Sequence, residues 1–506
     1  MRRRRLIALG IGILCVVAAA AFAVGMGSGG VRGSAEQTAR AYFRAWTGRD
    51  VDAMRSLVDR PPADFTRRHL GLSEALQLEG VDLRPRPVRQ AGADAAEVPF
   101  TGTMRLKRFG PWEFESTLRL AVRERRWKVV WTPETLHPLL KGGATIEVEP
   151  VEGPAVTLVT AEGAQLPRRG YNDAYLDALR TEFEGTSVGW ALVAAGERVK
   201  EIPPKTTEVR LTLSRPVQAA AARALDEVED AAIVALRAST GEVLAVADRL
   251  VRASAFTDYF PPGSTFKVVS AAALLETGLQ PDTPVDCPAS YQIPFHSPVG
   301  NAAGFEVGLT TFEGAFAWSC NTSFVQQAYE RELGPRLAGV AADWGFTDRP
   351  LATGMGGRCG RLTEPGDPEE LKLAVIGQGT VEATPLCMAA VAAAVRSGTW
   401  QPPRLLGDAE ATRIDGARQP AVRLDPVVIE QLRRMMGTVV SGGTASEGGL
   451  PEDVYGKTGT AETPGGGDHA WFIGYQDDLA FCVFVRHGGS GAKVAVPVAA
   501  RFLRGL

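Results

Sequence analysis

Ser264 and Lys267 stand three residues apart in the stretch Pro261-Pro262-Gly263-Ser264-Thr265-Phe266-Lys267-Val268-Val269. Pro and Gly punctuate the chain just before a run compatible with a helix, which predicts Ser264 at or near a helix N-terminus. Positions three apart share one helix face, so the Lys267 amine comes within reach of the Ser264 hydroxyl. A serine hydroxyl becomes a nucleophile when a base takes its proton, and a desolvated lysine can be that base. The pair by itself is also the pattern of a capping serine with a surface lysine, so it needs company to mean chemistry.

Company comes twice. Trp318-Ser319-Cys320-Asn321-Thr322 sets a hydroxyl and a carboxamide two apart between mostly apolar flanks. Ser319 is a candidate proton relay and Asn321 a candidate holder of a substrate amide, although Ser and Asn together otherwise mark turns and caps. Gly456-Lys457-Thr458-Gly459-Thr460 precedes Ala470 to Gly474 and Leu479 to Val485, which read as adjacent core strands. Lys457 brings charge and Thr458 and Thr460 bring donors, a set suited to a carboxylate, while Gly459 leaves room for close approach of a substrate backbone. Cys320 reads as a small buried residue in preference to a redox group. Glu462 and His469 follow the third motif and receive no role.

The elements that must position these residues belong to a chain of 506 residues, a length for several domains. With 45% apolar and 22% charged residues it has the composition of a folded protein, and a net charge of -3 excludes a basic body for nucleic acid. Six Cys without C-x-x-C spacing and five scattered His give no metal pattern, and no cofactor is expected. Their low density argues against a disulfide scaffold and leaves open one isolated bridge among the last five Cys.

Four Arg follow Met1, and Leu6 to Met26 then run without a charge, long enough to cross a bilayer. The Arg cluster predicts a cytoplasmic N-terminus and an exported remainder. Cleavage after Ala21-Phe22-Ala23 is the competing reading; the length favours an uncleaved, single-pass anchor. Beyond it, Ser34 with Gln37 resembles a capping box ahead of an amphipathic helix through Ala39, Phe43 and Trp46. Phe114 to Glu124 and Trp127 to Trp131 read as strands around a charged turn. Residues 141–210 turn Gly-, Pro- and charge-rich and read as a short β-containing linker module. From residue 211 an Ala-rich helix, Pro216 to Leu225, and a hairpin, Ala231 to Leu236 with Val243 to Ala247, open a last domain that carries all three motifs.

The three motifs in this order resemble those of the penicilloyl-serine transferases, and most nearly class B, monofunctional penicillin-binding proteins. Ala374 to Ala389 (AVIGQGTVEATPLCMA) is similar to the family's Gly-Gln-Gly stretch. Residues 34–140, ending WKVVWTPETLHPLL, resemble the nuclear-transport-factor-like domain of the methicillin-resistance type. Val156 to Leu166 (VTLVTAEGAQL) alone echoes the family's pedestal or dimerisation region, so residues 141–210 look like a reduced version of it.

The resemblance implies an α+β multidomain fold: membrane anchor in 1–33, cone-like α+β domain in 34–140, reduced module in 141–210, and a transpeptidase domain in 211–506 built as an antiparallel sheet flanked by helices. It implies peptidoglycan stem peptides as substrates and β-lactams as ligands, at a bacterial cell membrane, with a cell-wall synthesis complex as a candidate partner. Ser264 would be the nucleophile, Lys267 its base, Ser319 the relay and Asn321 the peptide holder, with Lys457, Thr458 and Thr460 receiving the terminal carboxylate and Gly459 belonging to the substrate-binding strand. Hydrolysis by a D,D-carboxypeptidase or serine β-lactamase, or a non-catalytic β-lactam sensor, are the alternatives. No second, polymerising site is seen upstream, and a spacer is the default role for residues 34–140.

Overall fold

The computed structural model describes residues 31–506 apart from 168, 184, 416–418 and 464. The apolar segment Leu6 to Met26 lies outside the described residues; among these, no helix is long and apolar enough to cross a membrane. The chain divides into two compact units, one running to Ala155 and including Thr186–Thr206, the other formed by Val156–Gly185 and Thr207–Leu506. Residues 141–210 therefore contribute to both.

In the first unit, helix Ala35–Thr47 (α1) starts where the Ser34 side chain accepts the Gln37 N–H. Helices Val51–Leu57 (α2) and Phe65–Ala75 (α3) follow. Strands Leu78–Pro85 (β1), Arg89–Gly92 (β2), Ala95–Leu106 (β3), Gly110–Arg123 (β4) and Arg126–Val129 (β5) form an antiparallel sheet in which β3 pairs with β1, β2 and β4. Glu124 and Arg125, both at positive φ, make the charged turn before β5. Alternate residues of β3 are buried, including Val98, Phe100 and Met104. Phe43 and Trp46 of α1 close on Phe100 edge to face, at 5.0 and 5.8 Å between ring centres. The helix face and the strand alternation thus read the same core from two periodicities.

The second unit is organised by an antiparallel five-stranded sheet. Its strands are Ala231–Arg237 (β6), Val243–Asp248 (β7), Tyr455–Ala461 (β8), His469–Gln476 (β9) and Leu479–Val485 (β10), in the order β7-β6-β10-β9-β8. Every residue of β6 before Arg237 is buried, so helices must cover both of its faces. Helix Pro385–Ser397 packs on β10 and β6, and helix Arg215–Ala224 packs on β7 and β6. Helix Lys267–Glu276 (α4) is buried along all residues but the last, the mark of a central helix.

Candidate active site

Ser264 lies in a single 3-10 turn, Gly263–Phe266, that runs directly into α4. Two glycines permit the turn. A Cβ on Gly263, at φ +53, would sit 2.4 Å from the Thr460 carbonyl oxygen of β8. A Cβ on Gly377, at φ +78, would sit 2.1 Å from the Gly263 oxygen, and the Gly263 N–H donates to the Gly377 oxygen at 2.9 Å. The turn is thereby clamped between β8 and the Gly377-Gln378-Gly379 loop. Gly459 belongs to the same contact: a Cβ there would meet Thr265 Cγ2 at 2.7 Å and the Pro262 oxygen at 3.1 Å. The space it leaves is filled by the protein's own turn, where the sequence suggested substrate backbone.

Lys267 is fully buried at the start of α4. Its Nζ donates to Asn321 Oδ1 at 2.6 Å, to the Ser319 carbonyl oxygen at 2.7 Å and to Ser319 Oγ at 3.3 Å. Burial, and then the positive charge of Lys457, push its pKa far below the ordinary lysine value. Lys457 in β8 is equally buried, donates to the Thr458 oxygen at 3.0 Å, and is brought by burial to about 7. The rings of Phe324 and Phe316 stand 5.4 and 5.5 Å from the two lysine nitrogens, where a ring face offers some compensation to a protonated amine.

Ser319 sits between helix Phe312–Ala317 and helix Asn321–Glu330 (α5) at φ +61, a conformation costly for a non-glycine residue. Cys320 is bonded to Cys287 at the end of strand Pro284–Cys287. A second disulfide joins Cys359 to Cys387, and Cys482 is a buried free thiol. Two bridges replace the single one that sequence left open, and Cys320 is a half-cystine. Its partner lies 33 residues away, with no local signal to announce it. The Asn321 Nδ2 donates to the Gly300 oxygen at 3.0 Å, so one carboxamide links Lys267 to the hairpin made by Ser290–Gln292 and Pro298–Gly300.

Ser264, Asn321 and Thr460 line one cleft of about 610 Å3. Thr460 Oγ1 accepts the Gly491 N–H at 3.2 Å, while Thr458 Oγ1 pairs with Thr444 Oγ1 at 2.6 Å. The cleft also holds Ser297, Glu369 and Lys372, which sequence reasoning did not single out. Among the described residues, no cluster of His, Cys, Asp and Glu could hold a metal. A nucleophile turn, a desolvated amine and a hydroxyl–carboxamide pair in one place can perform acyl transfer.

The peptidoglycan D,D-transpeptidase PbpA of Mycolicibacterium smegmatis is 28% identical over 355 residues, 58% of this chain and 71% of that one. Stage V sporulation protein D of Bacillus subtilis is 29% identical over 358 residues, 60% of this chain and 54% of that one. Among solved structures, penicillin-binding protein A from M. tuberculosis in an imipenem acyl-enzyme complex superposes with a TM-score of 0.53 at 25% identity, over 60% of this chain and 80% of that one. Residues 34–144 match the NTF2-like N-terminal transpeptidase domain. Residues 231–504, more than half of the sequence and all three motifs, match the penicillin binding protein transpeptidase domain, and to that family the chain belongs.

Proposed function

We propose that the chain is a serine D,D-transpeptidase that cross-links peptidoglycan stem peptides through an acyl-enzyme on Ser264 and is acylated there by β-lactams. The observation that carries this reading is Lys267: stripped of water, beside a second cation, and within hydrogen-bond reach of Ser319 and Asn321 one turn from Ser264. A lysine whose charged form is so disfavoured gives up its proton more readily than a free lysine and can serve as the base. The relatives' names, and a similar fold trapped as an imipenem acyl-enzyme, support the same reading.

Ser264 Oγ attacks the penultimate D-Ala carbonyl while its proton passes to Lys267. The backbone N–H groups of Ser264 and Thr460 receive the developing oxyanion, each such donor contributing about 3 kcal/mol. Ser319 relays the proton to the leaving amine of the terminal D-Ala. Asn321 orients the peptide, and Lys457, Thr458 and Thr460 hold the terminal carboxylate, with Gly459 supporting the turn behind them. An amine of a second stem peptide then resolves the ester.

Residues 211–506 form the transpeptidase domain in this reading, with 34–140 as a spacer domain, 141–210 as a reduced pedestal whose segments are shared between the two units, and 1–33 as a single-pass anchor in a bacterial cell membrane. Two disulfides suit the oxidising side of that membrane. The test is intact mass after benzylpenicillin, followed by peptide mapping over time. A stable adduct on Ser264, lost in Ser264→Ala, is expected; prompt release of the hydrolysed drug would mean a hydrolase, and no adduct with either β-lactam or D-Ala-D-Ala substrate a non-catalytic sensor.

A further inference from the structure

The cleft that holds Ser264 has a wall that none of these steps uses. Ser297, leading into strand Pro298–Gly300, meets Glu369 and Lys372 of helix Pro368–Ala374 there. Lys372 is 4% exposed, and its Nζ donates to Glu369 Oε1 at 2.5 Å, to Ser297 Oγ at 2.6 Å and to the Ser297 oxygen at 3.0 Å. Ser297 Oγ donates to the same Glu369 Oε1 at 2.8 Å. An ammonium has three protons, so Lys372 is spent on this contact.

Glu369 is not spent. Among the described residues its Oε2 is approached by His296 Nδ1 at 3.6 Å, beyond a hydrogen bond, and the side chain is 39% exposed. Both residues line the cleft, but the ammonium is the buried member of the pair and the carboxylate the accessible one, with Oε2 left to accept. Beside Ser264 stand the amine of Lys267, kept as the base, and Lys457, which suits a carboxylate donor. Glu462, also on the cleft, is the other acid near by. A transpeptidase needs both signs, because its donor ends in a carboxylate and its acceptor arrives as an ammonium.

We propose that Glu369, fixed by Lys372 and Ser297, is the group that recognises the cationic amine acceptor. The proposal rests on the transpeptidase reading. Glu369 binds the acceptor as ammonium, and one proton leaves to solvent before attack. The amine nitrogen then forms its bond to the acyl carbon, the carbon–Ser264 Oγ bond breaks, and the second proton passes to Ser264 Oγ. The lysine and serine contacts hold the Glu369 carboxyl below the usual carboxylate range, which suits binding a cation better than taking a proton from water.

The test uses the full chain, a thioester donor ending in D-Ala, D-alaninamide as cationic acceptor and methanol as neutral acceptor. Acylation of Ser264 by the donor is measured first; its absence in the unsubstituted chain would overturn the transpeptidase reading and this one with it. Given acylation, Glu369→Gln is expected to raise KM for D-alaninamide about fivefold, the size of a half-exposed charge pair, with methanolysis moving less than about twofold. Glu369→Asp should recover part of the difference. In the unsubstituted chain, raising salt should weaken D-alaninamide and spare methanol, a readout independent of any variant's folding. Equal losses for both acceptors, no salt selectivity, or slowed hydrolysis with acceptor KM unmoved would each overturn the proposal.

Discussion

Lys267 Nζ and Asn321 Oδ1 are 2.6 Å apart, so the buried amine next to the nucleophile turn leans on a neutral carboxamide, where a carboxylate of the same shape would also have to give up the Nδ2 donation to the Gly300 oxygen. The difference is electrostatic. A carboxylate at this distance in a water-free site would stabilise the ammonium and undo what burial and Lys457 achieve. Asn321→Asp is therefore expected to raise the pKa of Lys267. Acylation by a fluorescent penicillin rises with pH as the base loses its proton, and the midpoint of that rise should move up by about 1 to 3 units in the variant. Asn321→Ala should slow the reaction with a smaller displacement of the midpoint. An unmoved midpoint in Asn321→Asp would remove Lys267 from the role of base.

Lys457 opposes folding at neutral pH. Its pKa is about 7 in the folded chain against an ordinary value of 10.5, so between these limits the unfolded chain holds more protons. Stability contributed by this group therefore rises as pH climbs from about 7 to 10.5, and below about 7 the full penalty stands. Lys457→Met should reduce that slope, leaving the share of Lys267, and raise the thermal midpoint at pH 7 by a few degrees, read by scanning calorimetry. It should also slow acylation and shift its pH midpoint upward, because the positive charge that neighbours Lys267 has gone. A gain in stability with loss of activity is the expected signature of strain kept for function.

Two glycines separate backbone strain from collision. Gly489, at φ +82, has nothing within 4 Å of where a Cβ would stand, whereas Gly377, at φ +78, has the Gly263 oxygen at 2.1 Å. Alanine at either position forces an unfavourable φ, a cost of about 1 kcal/mol or more. Only at Gly377 must the turn bearing Ser264 also move. Gly377→Ala should cut the acylation rate constant by at least about tenfold, since small displacements of a reacting group are expensive, while Gly489→Ala leaves it within about twofold. Comparable losses in the two variants would show that the clamp on the turn is not what matters.

What could be read from the sequence was local. The hairpin of β6 and β7 and the paired strands β9 and β10 are announced by spacing within about fifteen residues, as is the nearness of Ser319 and Asn321, whereas the Lys267 amine that spacing set toward Ser264 donates to Ser319 and Asn321. The Ser34 cap and the buried face of α1 were legible for the same reason. The meeting of Ser297 with Glu369 and Lys372 was not, because it joins segments about 70 residues apart through a hairpin and a short helix. Gly459 shows a subtler limit: its type signalled a close approach correctly, but nothing in the sequence said that the approaching atoms belong to Pro262 and Thr265. Cys320 signalled burial, but its partner Cys287 lies 33 residues upstream at the end of strand Pro284–Cys287, beyond the reach of local spacing.

That bond is also the most direct test of how the second motif is held. Cys287–Cys320 and Cys359–Cys387 close loops of similar length, 33 and 28 residues, so the constraint each places on the unfolded chain is alike. Removing either should cost about 3 to 4 kcal/mol of stability. Their effects on chemistry should differ, because only Cys320 stands between Ser319, which is held at φ +61, and Asn321. Cys287→Ser with Cys320→Ser frees that segment to relax, and the contacts of Lys267 with Ser319 and Asn321 should lengthen. Acylation by benzylpenicillin is then expected to slow about tenfold more in this double variant than in Cys359→Ser with Cys387→Ser, measured well below both unfolding midpoints. Equal rates in the two would mean that packing alone, through Thr322 and Ser323 against the Pro288 and Asp286 carbonyl oxygens, suffices to position the motif.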